Sequence, residues 1–342
     1  MRRPPDSPNS RLNAAPPTRL AKQAGPPASG WLVHPAFDLL LIVNILWPLW
    51  VWLGATEGFA RRDGLFFWQI YFITTPHRWV TLLLVFGDRQ RFRSRRRLFV
   101  GVAAAVIAVT LGVRVSTGSL TCLLTIDYLW NAWHFSAQHH GVARLYSRRS
   151  TRSTAEPGWE KWAFRLFLLY VIFRVAGTTW SHERLELALA QFDYVVLLIP
   201  IVLLARAARA SFGGASGGFA YRASVCALFL GMLWAVHERK PEMVLAFATA
   251  SALFHATEYL AVVGWTLQKK RGSDTSALGL LGWIIPRWGL LILVFMMALG
   301  ASGYWLDQHW LEAWLTINVA VAFLHYAYDG LIWRRSGSAS PA

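Results

Sequence analysis

The chain of 342 residues has little cysteine and little acid: two Cys, and 18 Asp plus Glu against 34 Lys plus Arg. Cys122 and Cys226 both lie in apolar stretches, and neither belongs to a metal-ligand spacing such as Cys-x-x-Cys. Both are therefore expected to be buried small residues, not zinc or redox thiols. The sequence also lacks a Gly-rich phosphate loop, a Ser-His-Asp arrangement, a long soluble insertion and an internal repeat. These absences remove the common nucleotide-binding and hydrolase readings. The shortage of acid leaves a net charge of +16. The basic residues fall in short runs between apolar segments and form no basic face, so no nucleic-acid partner is expected.

What is present is apolar. Hydrophobic residues make up 55% of the chain, above the roughly half that a soluble domain carries. The 19 tryptophans suit a protein with two membrane–water interfaces. Residues 1–30 are rich in Pro, Ser, Ala and Arg and read as a disordered cytoplasmic tail. No apolar core with a small-residue cleavage site follows the early arginines, so no cleaved signal peptide is expected. Residues 31–335 read as a transmembrane helical domain and 336–342 as a short cytoplasmic tail.

A spanning helix needs about 20 apolar residues. Segments of that kind occur at 37–54, 65–86, 98–115, 119–143, 161–178, 189–208, 220–237, 242–265, 277–299 and 311–332. The third and sixth are the most apolar and the fourth the most polar. Basic runs at Arg89–Arg97, Arg144–Arg152, Arg206–Arg209, Lys269–Arg271 and Arg334–Arg335 follow the even-numbered segments. Short cytoplasmic loops are enriched in Lys and Arg. The expected fold is thus an all-α, polytopic membrane bundle of about ten transmembrane helices with both termini cytoplasmic.

Polar and ionisable residues inside a bilayer are costly and mark function. They cluster in the even segments: Thr81 and His77 in the second; Asp127, Asn131, His134, Gln138, His139 and His140 in the fourth; Asp193 in the sixth; His255, Glu258 and Tyr259 in the eighth; His325, Tyr328 and Asp329 in the tenth. Counted back from the next basic run, His77, His134, Asp193, His255 and His325 fall within about 8 Å of one another along the membrane normal at ~1.5 Å per residue. Each of the four histidines has a polar residue one turn on. A metal-bound imidazole needs such a partner to fix its tautomer.

His77, His134, His255 and His325 are therefore the expected metal ligands, a donor set that suits iron, copper or zinc. Glu258, Asp329 and Tyr259 are the expected catalytic or proton-carrying groups. Asp127, Asn131, Gln138, Thr81 and Tyr328 are expected to line the cofactor site, with Trp79, Trp130, Trp133, Phe135, Tyr326 and Trp333 forming an apolar pocket around it. Of His139 and His140, at least one is expected to be solvated. His34, His182, His237 and His309 are expected to be bystanders. Arg287 needs an anion, for which Glu258 and Asp193 are the candidates; Glu258 is equally a candidate partner for Arg78.

The order Pro76-His77, His134-Phe135, His255 with a polar residue one turn on, and His325 with Asp329 resembles the motif order of the Brp/Blh family of membrane-bound β-carotene 15,15′-dioxygenases. The resemblance implies a polytopic protein of the bacterial inner membrane whose histidines, here His77, His134 and His255, hold iron (Fe2+). It also implies molecular oxygen and a lipophilic small-molecule substrate as reactants, in contact with membrane lipids. This chain departs from the family at Arg78, where the family has Gly after Pro-His, and at Tyr259, where it has a second His. The resulting reading is a metal-dependent membrane oxygenase with a carotenoid-like substrate. The alternatives are a diiron lipid desaturase or hydroxylase, a haem-b electron carrier, and a transporter with an intramembrane polar path.

Overall fold

The computed structural model describes residues 30–57, 64–149, 157–177, 183–212, 216–270 and 278–333. The expected tails and His182 lie outside them. Among the described residues the chain is all-α, with ten long helical segments in sequence. They are α1 (Pro35–Thr56), α2 (65–86), α3 (Arg96–Thr117), α4 (Thr121–Arg149) and α5 (Gly158–Gly177). The chain continues through α6 (Arg184–Ser211), α7 (Ser216–His237), α8 (Pro241–Lys270), α9 (Leu280–His309) and α10 (Leu311–Ile332).

Seven of these, α1, α3 and α6 through α10, are long and apolar enough to cross a membrane. As expected, α3 and α6 have the highest mean hydropathy. The other three carry polar or charged residues along their length, Glu160, Lys161, Arg165 and Arg174 in α5 for example. The protein is an all-α helical membrane protein.

Two groups of helices share a pair of central elements. α1, α5, α6 and α7 pack on one side and α2, α3, α9 and α10 on the other, with α4 and α8 between them. α8 is the most enclosed: 78% of its apolar window is buried, against 11% for peripheral α3. The largest apolar cluster joins Val142 and Tyr146 of α4, Phe167 of α5, Phe229 of α7 and Phe254 of α8. A second joins Val80 and Leu84 of α2 to Val263 of α8 and Trp288 of α9.

Two irregularities position the interior. α1 breaks at 43–46, where Asn44 adopts φ 51, a left-handed backbone that Asn tolerates better than most residues. The break is tied down from the neighbouring helices. Ser224 Oγ donates to the Val43 carbonyl at 2.6 Å, and Thr257 Oγ1 donates to Asn44 Oδ1 at 2.9 Å. α2 is π-helical over Gln69–Thr74 before it resumes as α-helix at Thr75. Pro76 has no N–H and would clash with the carbonyl four residues back in a regular helix. The wider π turn admits it in mid-segment.

One apolar expectation fails here. Cys226 is buried as read, but Cys122 is exposed. The first turns of α4 pack on α10 through Leu123, and Cys122 lies on their outward face, where Leu124, Ile126, Tyr128 and Leu129 are exposed with it.

Candidate metal centre

His77 directly follows the π turn and Pro76 and points into the bundle with 2% exposure. His134 of α4, His255 of α8 and His325 of α10 meet it there, all buried. Their rings form a closed cycle. Ring centroids are 5.3 Å apart for His77 and His255, 5.2 Å for His255 and His134, 4.6 Å for His134 and His325, and 5.0 Å for His325 and His77. An ion bound at about 2.0–2.1 Å by imidazole nitrogens holds neighbouring ring centroids roughly 5 Å apart. One nitrogen each from His77, His255 and His325 lies within 4.8 Å of the others, and so do ligand atoms of His134, His325 and Asp329.

One tautomer of His325 fits the hydrogen bonds around it. Tyr259 Oη and Thr81 Oγ1 both donate to Asp329 Oδ1, at 2.9 and 3.2 Å. Thr81 has a single proton, so its oxygen accepts from His325 Nδ1 at 2.7 Å. That leaves the lone pair on His325 Nε2, which faces His134 Nε2 at 3.1 Å. Two imidazole nitrogens at this distance need a proton or a cation between them. Asp329 Oδ2 stands 3.9 Å from both His134 Nε2 and His325 Nδ1.

The remaining nitrogens test whether a metal suits the site. Neither ring nitrogen of His77, nor Nδ1 of His255, has a hydrogen-bond partner, although all three are buried. The carbonyls of Thr74 and Ile73 lie alongside His77 without closing a bond. Buried polar atoms left unpaired in a native interior call for an explanation such as an ion. Three orphaned imidazole nitrogens on two of the four converging rings fit a metal with imidazole ligands. Phe135 stacks on His255 at 3.8 Å and 12° and Tyr326 lies 5.0 Å from His134, so the walls are aromatic.

Beside the ring lies a second polar group. Glu258 is fully buried. It accepts from Tyr221 Oη at 2.7 Å and from Gln138 Nε2 at 3.0 Å, and His139 Nδ1 lies 3.1 Å from it. Gln138 also donates to the His255 carbonyl at 3.0 Å, so it fixes the turn of α8 that carries His255. Tyr221 stacks on Tyr146 at 5.6 Å, and Tyr146 donates to Asp38 at 3.0 Å.

The structure redistributes several expected roles. The polar residue one turn beyond each histidine mostly serves a neighbouring helix: Thr81 serves His325, Gln138 serves Glu258 and the α8 backbone, and Tyr259 serves Asp329. In a bundle interior the facing helix is nearer than the next turn of the same one. Asp193 does not share the histidine layer. α6 is peripheral, and Asp193 is bound by Arg174 at 3.2 Å, Tyr170 at 2.6 Å and His237 at 3.1 Å. His237 is thus no bystander.

Tyr328 is also outside the site, because its hydroxyl donates to the Phe99 carbonyl at 2.8 Å on the α3 side. Asp127 and Asn131 meet Tyr326 Oη at 3.1 Å each, one layer away from the ring. His139 and His140 are both buried, against the expectation that one is solvated. Glu258 pairs with neither Arg78 nor Arg287. Arg287 is exposed, at the break that Pro286 makes in α9.

Sequence reasoning missed Asp38, Tyr146, Arg174 and Tyr221. Arg174, a charge deep in an apolar segment, carried a readable signal; the others sit in segments whose polarity is ordinary. His34 and His309 bond only to local backbone. Comparison of the chain with family models, with curated proteins and with solved structures finds no match.

Proposed function

We propose that this chain is a membrane oxygenase holding one metal ion, iron by preference, on His77, His134, His255 and His325, and acting on a lipophilic substrate. The observation that carries this reading is the closed ring of four buried imidazoles with orphaned nitrogens. Iron held there supplies redox chemistry toward dioxygen. The motif order similar to that of the Brp/Blh dioxygenases favours oxygen chemistry over a purely structural ion.

The chain's own residues do the rest. Thr81 holds His325 in the tautomer that leaves Nε2 free, and Asp329 orders Thr81 and Tyr259. Gln138 and Glu258 fix the α8 turn. Phe135 and Tyr326 keep the walls apolar and exclude water. The spacing speaks against a haem carrier, since rings 4.6–5.3 Å apart leave no room for a macrocycle between them.

In the membrane the same reading has ten spans, with the basic loops and both termini on the cytoplasmic side of a bacterial inner membrane. The deciding test is elemental analysis with an absorption spectrum on protein purified after growth with added iron. Wild type should carry about one metal per chain, and His77→Ala and His255→Ala should lose it while retaining helix content by circular dichroism. Metal-free wild type would defeat the proposal.

A further inference from the structure

Arg78 is a charged residue directly beside a proposed ligand, and the four-histidine centre does not use it. It follows His77 in α2 and is half-buried. Among the described residues its guanidinium closes no hydrogen bond and no ion pair. It is also deep. At about 1.5 Å per residue it stands roughly 12 Å from the Phe86 end of α2 and roughly 20 Å from the Leu65 end. Helical side chains lean toward the helix N-terminus, here the farther end. An arginine so placed cannot bring its charge to either interface by extending. An unpaired cation at that depth is costly and asks for an anion.

Among the described residues the protein offers no such anion in contact. The guanidinium lies within electrostatic reach of His77, His134 and His325 on one side and of Asp127 and Tyr326 on the other. Asp127 is the carboxylate in that group, and its Oδ1 is taken by Tyr326 at 3.1 Å. It forms no ion pair with Arg78. The guanidinium is therefore electrostatically coupled both to the imidazole ring and to the Asp127–Tyr326 pair. Next to that group the first turns of α4 present Ile126, Leu129 and Trp130 outward, all exposed. An amphiphile could lie there with its chain toward the lipid and its head inside.

We propose that Arg78 binds the carboxylate of a long-chain lipophilic acid, and thereby sets which carbon of the chain lies over the four-histidine centre. This deepens the oxygenase reading and rests on it for calling the acid a substrate, but the binding itself needs no metal. Arginine presents a planar fork that matches a carboxylate bidentately. A pure hydrocarbon offers nothing to that fork. Arg78 is thus a specificity residue: the preferred substrate is an acid, not a carotene.

The test is binding to purified, metal-free protein in detergent, read by tryptophan quenching with a dibrominated stearic acid and by competition with stearic acid and stearyl alcohol. The acid should bind about tenfold or more tighter than the alcohol, the range expected for a charge-assisted contact. Arg78→Gln should abolish that preference with unchanged helix content, Arg78→Lys should keep part of it, and Asp127→Asn should preserve it. Equal binding of acid and alcohol by wild type would overturn the proposal. So would an acid preference that survives Arg78→Gln, or one lost in Asp127→Asn. Competition by phosphatidylglycerol at the same strength as by the acid would assign the site to a membrane-lipid headgroup and overturn it as well. Because no turnover is measured, loss of acid binding and loss of metal are separate results.

Discussion

At the residue scale the converging histidines depend on neighbouring groups outside the proposed ligand set. Thr81 Oγ1 sits 2.7 Å from His325 Nδ1 and 2.5 Å from Tyr259 Oη, and so links His325 to the Asp329 carboxylate through one hydroxyl. Replacing it by Val keeps the shape and removes that link. Thr81→Val should weaken metal binding by about 10- to 100-fold with little loss of helix, measurable by competition with a metal-sensing dye. Thr81→Ser should restore most of the affinity. An unchanged affinity in Thr81→Val would mean that His325 is oriented by packing alone. That the four histidines converge was legible in the sequence, because each is an ionisable residue inside an apolar segment at comparable depth. Their partners were assigned to the wrong histidines, since sequence spacing gives only neighbours along one helix. Which side chain on a facing helix comes closer is set by rotation about the helix axes.

At the element scale the π-helical stretch of α2 is held from outside by α9. A Cβ on Gly300 would stand 2.5 Å from Phe72 Cδ1 and 2.8 Å from the Tyr71 carbonyl oxygen. Close approach of this kind is what small residues allow between membrane helices. Gly300→Ala should therefore destabilise the protein by about 1–3 kcal/mol, as overpacking does. In the same helix a Cβ on Gly289 would meet nothing within 4 Å, so that position should accept Ala without loss. A thermal-shift assay on the two variants makes the comparison, and equal behaviour would refute the packing argument. The ten segments were readable from apolar length and the positions of the basic runs. The π turn and the break at Asn44 were not, because they answer to Pro76 and to contacts from Ser224 and Thr257 on distant helices.

At the scale of the whole molecule, the two cysteines report topology without engineering. Cys122 is exposed at the start of α4, and Cys226 is buried within α7. If even segments end in the cytoplasm, a membrane-impermeant maleimide added to intact cells should reach Cys122 and leave Cys226 unmodified. Labelling of Cys122 only after the membrane is opened would invert the orientation. The same architecture bears on biogenesis. The four imidazoles come from helices spread over nearly the full length of the bundle, His77 early and His325 in the last described helix. A nascent chain threading into the bilayer segment by segment exposes three unsatisfied histidines until α10 arrives. If the four imidazoles hold an ion as proposed, the complete site exists only after insertion of that helix, so full metal loading would report completed assembly, and a chain stalled before α10 is left with a polar defect that quality-control proteases can read.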